Sequence, residues 1–150
     1  MSDAVVTRPA FKRLPGWEAR LVDVIEGARS RSYELGQHDC FRMMCLAVEA
    51  LTGVDLWPEW RGRYRNQRDI FRLLRAYAGG SGRDAFGRAF TRGFGVDLVA
   101  PKLARRGDIV EFFDTRSHLA VCVGADVAVL LKGGLGFIPL GRCRRAWRVG

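Results

Sequence analysis

The spacing of apolar residues changes along this chain, from a helical period in the first half to a strand-like period after residue 95. Apolar residues recur three or four positions apart from Trp17 to Ala28, whereas short runs rich in Val, Ile and Phe follow residue 107. Helices that precede a strand meander are typical of α+β domains, in which helices pack on an antiparallel sheet. We therefore predict an α+β fold, with N-terminal helices and a small antiparallel sheet formed by the C-terminal half.

The same patterns predict individual elements. One helix begins at Trp17, and a second begins at Cys40, because the Asp39 carboxylate can accept the free amide hydrogens of a first turn. Gly53 is a suitable stop for this second helix. Two more helices are predicted at about 67–78 and 84–92. The predicted strands are 108–113, 119–124, 127–131, 136–140 and 146–149.

Length and composition limit the classes of protein. A chain of 150 residues predicts one domain over 1–150, with 1–15 as an N-terminal arm. A hydrophobic fraction of 48% excludes wholesale disorder. No uncharged run approaches the roughly 20 apolar residues of a membrane span, and the first residues lack the apolar core of a secretion signal. We therefore expect a protein made in the cytoplasm, with no signal peptide and no transmembrane segment.

The charge is strongly basic, at a formal +9, and only three of the 25 basic residues are lysines. Arginine binds phosphates and carboxylates bidentately, so the charge favours an anionic partner such as nucleic acid, an envelope polymer or an acidic protein. Arginines cluster at 61–75 and 142–148, where they form either a solvated surface or a docking surface. The chain has no helix-turn-helix, zinc module or RNA-binding signature, so nucleic acid is an unlikely partner.

Cysteine and histidine are sparse and show no metal-ligand spacing. No cysteine pair has C-x-x-C spacing, and the two histidines, His38 and His118, are far apart. We therefore predict no metal and no cofactor, and we expect reduced thiols. The cysteines are Cys40, Cys45, Cys122 and Cys143.

Cys40 and His118 are the residues that could perform chemistry together. A thiol at the first turn of a helix lies near partial positive charge and unpaired amide hydrogens, which stabilise a thiolate. A histidine beside it can take the thiol proton and later return it to a leaving group. The alternatives are a buried small cysteine and a solvated histidine. His38 is a rival base, but its side chain would have to fold back sharply to reach the sulfur.

The residues around this pair resemble the NlpC-type cysteine peptidases, a papain-like superfamily. The segment SYELGQHDCFRMMCLAVEALTG is similar to the nucleophile segment of that superfamily, and ARRGDIVEFF followed by SHLAVCVG is similar to its Gly-Asp strand and its histidine strand. The ending looks like a compact branch carried by tailed phages and prophages. The matching positions, in order, are Tyr33, Gly36, Asp39, Cys40, Gly107, Asp108 and His118.

The resemblance implies a papain-like fold and hydrolysis of amide bonds in peptidoglycan stem peptides during DNA entry. It implies that Cys40 is the nucleophile, that His118 is the general base, and that Tyr33 supplies a hydroxyl near the oxyanion. The partners would be stem peptides and other phage tail proteins, in a protein assembled into the virion.

Two departures from the family pattern motivate an alternative. Phe41-Arg42 replaces the common Ser-Gly, and the strand after the histidine, DVAVLL, has no central polar residue. Asp126 and Lys132 lie only at its two ends. The alternative is an inactive NlpC-like fold that serves as a structural or assembly component of the tail tip.

Overall fold

A computed structural model describes residues 11–66, 68–70, 72–73, 98–115 and 117–150. Within them, two long helices precede a six-stranded antiparallel sheet, which confirms the α+β prediction. The helices are α1 (Trp17–Arg29) and α2 (Cys40–Thr52). The strands are β1 (Leu98–Val99), β2 (Ile109–Phe113), β3 (Ser117–Cys122), β4 (Asp126–Leu131), β5 (Gly134–Pro139) and β6 (Cys143–Trp147).

Both long helices begin at the predicted residues. Asp39 caps α2 through its side chain, which accepts a hydrogen bond from the backbone N–H of Arg42. Gly53 ends α2 with a left-handed φ of 77°, and its N–H bonds the carbonyl of Glu49. In the third predicted helix, the described residues 68–70 and 72–73 are helical. Its remainder, and the whole helix predicted at 84–92, lie outside the described residues.

The strand order is β1-β6-β2-β3-β4-β5. Strands β2 to β5 form a meander, and β6 returns to pair with β2 on the other side. Most predicted strands are confirmed with boundaries shifted by one to three residues. Strands β4 and β5 form a hairpin, and Gly134 at its turn has a positive φ of 107°. Strand β1 was not predicted, because a segment of two residues is too short to show an alternation of apolar and polar side chains.

The sheet has an apolar core on each face. The larger core joins α1 and α2 to one face of the sheet, and Leu119 and Val121 are its contributions from β3. The smaller core lies on the opposite face and contains Phe112, Ala120 and Cys122. This alternation follows from the two-residue period of a strand. In the described parts of the chain, no helix is long and apolar enough to cross a membrane.

Asp108 joins the start of β2 to both ends of the described chain. Its carboxylate is fully buried, pairs with the guanidinium of Arg13 at 3.0 Å and accepts the N–H of Val149 at 3.1 Å. It also accepts the N–H of Arg105 at 2.8 Å. Beside it, Gly107 has a φ of +91°, and a Cβ there would clash with Leu51 of α2. The Gly-Asp pair therefore has a structural function in this fold.

We expect Asp108→Ala to lower the free energy of unfolding by about 3–5 kcal/mol, because it leaves the partly buried Arg13 charge without its counterion and two backbone N–H groups without an acceptor. Denaturant unfolding measures this loss. Glu26→Ala is the control, since Glu26 forms only an exposed i,i+3 pair with Arg29 and its loss should cost at most about 1 kcal/mol. Equal losses in both variants would contradict the structural function of Asp108.

Candidate functional site

The carboxylate of Asp39 organises the start of α2. It accepts the N–H of Arg42 at 2.9 Å, the N–H of Gly36 at 2.7 Å and the hydroxyl of Tyr64 at 2.5 Å. Asp39 is 1% exposed. Its negative charge also lies at the positive end of the helix dipole. One carboxylate therefore fixes both the loop before α2 and the first turn that carries Cys40.

Cys40 is half-buried, and its sulfur meets β3 at a residue that pairs with β2 on one side but has no β4 partner on the other. The β3–β4 ladder begins at the pair Ala120–Val129, so Leu119 lies just outside it. The backbone N–H of Leu119 approaches the sulfur of Cys40, as do the N–H groups of Phe41 and of Cys40 itself. The thiol therefore sits between a helix N-terminus and the open edge of the strand that bears His118.

Burial raises the pKa of the Cys40 thiol to about 11, and the Asp39 carboxylate acts in the same direction. The three N–H groups act in the opposite direction, because they stabilise a thiolate. The thiol is therefore protonated at neutral pH in this arrangement. A base must take its proton before the sulfur can attack a substrate.

His118 is held by two neighbours near the start of β3. Its Nε2 lies 3.1 Å from Oδ1 of Asp114, and its ring stacks on Phe112 with centroids 5.8 Å apart. The histidine is 9% exposed, whereas the side chain of Asp114 is 45% exposed. Phe112 belongs to the smaller core, so the imidazole lies on that face of the sheet. Between the described residues, no hydrogen bond joins this ring to the Cys40 thiol.

Tyr33 is half-buried against the larger core, and its function near an oxyanion stays a prediction. Phe41 is buried and stacks on Trp60 with centroids 5.2 Å apart. Arg42 instead lies over the ring of Trp57, at 5.0 Å.

His38 faces away from the thiol, towards α1. It is 3% exposed and lies beside a cavity of about 290 Å³ between the two helices. Burial lowers its pKa and the charge of Arg31 adds to this, while the carbonyl of Ala28 acts in the opposite direction. Neither ring nitrogen makes a well-formed hydrogen bond with the described residues. His38 is therefore neutral at pH 7 and poorly placed to serve Cys40.

One arginine of the basic C-terminal segment, Arg144, forms a hydrogen bond with a buried carboxylate. Glu111 of β2 is fully buried, and its Oε1 accepts a hydrogen bond from Nε of Arg144 at 2.8 Å. Arg144 also lies over the ring of Phe113, at 4.4 Å. This arginine therefore stabilises the sheet and is not simply a solvated charge. The described residues contain no group of three His, Cys, Asp or Glu side chains that could hold a metal.

Sequence reasoning missed two residues of this site. Tyr64 follows an aromatic loop, and nothing local indicates that its hydroxyl reaches Asp39. Asp114 precedes His118 by four positions across the β2–β3 turn, which is the signal that could have found it. Asp126, which lies at one end of the strand that follows the histidine, is exposed at the start of β4.

We expect Asp39→Asn to lower the pH at which Cys40 reacts with iodoacetamide, because the substitution removes a negative charge that raises the pKa of the thiol. Site-resolved mass spectrometry across pH measures the shift. The control is Asp55→Asn, which changes a carboxylate that accepts the N–H of Trp57 and does not act on the pKa of Cys40. An unchanged or higher reaction pH in Asp39→Asn would contradict this account.

Comparisons with known proteins assign the chain to a family but not to an activity. Neither the curated proteins nor the solved structures gave a significant match. A family profile matches residues 12–149, which include α1, α2 and the whole sheet. The chain therefore belongs to the family described as Domain of unknown function (DUF6950).

Proposed function

We propose that the protein is a cysteine hydrolase of amide bonds, with Cys40 as the nucleophile and His118 as the general base. The observation that carries the proposal is the position of the Cys40 sulfur. It lies at the N-terminus of α2 and meets the N–H of Leu119, the residue that follows His118. The imidazole of His118 lies beside Phe112, on the face of the sheet away from α2, so the proposed reaction requires a rearrangement at the start of β3.

In the proposed reaction, the thiol proton passes to the imidazole as the sulfur attacks the substrate carbonyl. A carbon–sulfur bond forms, and the backbone N–H of Cys40 donates to the developing oxyanion. The carbon–nitrogen bond then breaks, and the imidazolium gives its proton to the leaving amine. Water attacks the thioester with His118 again as base, which releases the carboxylic acid and restores the thiol.

The proposed substrate is the peptide stem of peptidoglycan, and the proposed setting is the tail of a phage or prophage. The protein would be made in the cytoplasm, assembled with other tail proteins into the virion, and act during DNA entry. Support comes from the resemblance to NlpC-type peptidases and from the order of the matching residues along the chain. The papain-like arrangement of α2 on the sheet is part of the same proposal.

A second candidate is the same fold without turnover, used as a structural or assembly component of the tail tip. Two observations favour it. Burial and Asp39 raise the pKa of the Cys40 thiol to about 11. The imidazole of His118 contacts Phe112 and Asp114, and among the described residues no hydrogen bond joins it to the thiol.

The reactivity of Cys40 distinguishes the two candidates. If Cys40 and His118 form an active pair, iodoacetamide should label Cys40 well below pH 8.5, and His118→Ala should slow labelling at pH 7 by at least about 100-fold. Site-resolved mass spectrometry measures both rates. The buried thiols of Cys45 and Cys122 are internal controls, since iodoacetamide should label them slowly in both wild type and His118→Ala.

Turnover is then measured as new amines released from purified peptidoglycan stem peptides. Cys40→Ser should release none while it still unfolds cooperatively. Equal release by wild type and Cys40→Ser would remove Cys40 as the nucleophile. A labelling midpoint near pH 11 in both wild type and His118→Ala would favour the component without turnover.

A further inference from the structure

We infer that Asp114 is a positioning residue that holds His118 in one tautomer, with the proton on Nε2 and with Nδ1 as the proton acceptor. This inference rests on the proposed function, because it assigns the atom of His118 that would take the thiol proton. Sequence reasoning sought such a residue on β4, after the histidine. The structure supplies it from the turn before the histidine.

The contact between the two side chains is direct. Oδ1 of Asp114 lies 3.1 Å from Nε2 of His118, which is hydrogen-bond distance. An ionised carboxylate only accepts hydrogen bonds, so a bond at this position requires the proton on Nε2. In a neutral imidazole the other nitrogen, Nδ1, then carries the lone pair.

The surroundings of the His118 ring limit its orientation and its hydrogen-bond partners. Phe112 stacks on the imidazole with an interplanar angle of 24°, so the ring plane is set by β2. The guanidinium of Arg142 lies over the ring of Phe112, at 5.3 Å from the ring centroid. His118 is 9% exposed, and the contact with Asp114 is its only hydrogen bond or ion pair within the described residues. Nδ1 is therefore left without a competing partner there.

Asp114 suits a positioning function because its own side chain is 45% exposed. Removing its carboxylate leaves no buried cavity, so Asp114→Ala should fold normally. It lies four residues before His118, across the short β2–β3 turn, where the pairs Phe112–His118 and Phe113–Ser117 close the ladder. The pairing of β2 with β3 therefore brings Asp114, the residue after β2, close to the ring of His118.

The test is nitrogen-15 NMR of the histidine rings at pH 8 in wild type, Asp114→Ala and Asp126→Ala. His118→Ala assigns the signals, because His38 is the only other histidine in the chain. We expect wild type and Asp126→Ala to show His118 as a single Nε2–H tautomer. We expect Asp114→Ala to show a mixture of both tautomers. A mixture in wild type, or an unchanged pattern in Asp114→Ala, would overturn the inference.

Labelling of Cys40 separates this inference from the proposed function. If both hold, Asp114→Ala should slow Cys40 labelling at pH 7 by about tenfold, a fraction of the 10²–10⁴-fold effect of a general base. In Asp126→Ala, Cys40 should be labelled at the same rate as in wild type. A tautomer change in Asp114→Ala, combined with equal labelling in wild type and His118→Ala, would keep the tautomer assignment and reject the hydrolase.

Discussion

The site depends on the carboxylate of Asp39. A helix N-terminus leaves several amide hydrogens without partners, and one of these, on Arg42, bonds to Asp39. The same carboxylate binds the loop through Gly36 and the distant Tyr64 through its hydroxyl. Because three donors converge on one buried charge, the start of α2 has little freedom. The position of Cys40 against β3 follows from that constraint.

The same carboxylate also opposes the chemistry that we propose. Its charge and the burial of the thiol raise the pKa of Cys40, whereas the nearby N–H groups stabilise a thiolate. The structure therefore holds a thiol that lies at a helix N-terminus but is protonated. Such a site needs its base to be in the correct tautomer at the moment of proton transfer. In the proposed reaction, Asp114 would meet that requirement by fixing the tautomer of His118.

Much of the fold was predictable because its signals are local. The start of α2 depends on a cap within three residues, and the β4–β5 hairpin depends on glycines between two apolar runs. The face of the sheet that His118 occupies was not predictable in the same way. Both faces of β3 carry apolar residues that enter a core, so the alternation along the strand does not show which face packs against the helices. The two-residue strand β1 was missed because so short a segment carries no period.

The sequence by itself determined the class of fold, the helix that begins at Cys40, and the residues able to perform thiol chemistry. These features depend on periodicity and capping, which act over a few neighbouring residues. Only the tertiary structure decided that the N–H of Leu119 meets the Cys40 sulfur, that Tyr64 bonds Asp39, and that His118 contacts Asp114 and not the thiol. Those contacts depend on how α2 packs on the sheet and on how its strands twist and pair. No local pattern encodes that packing.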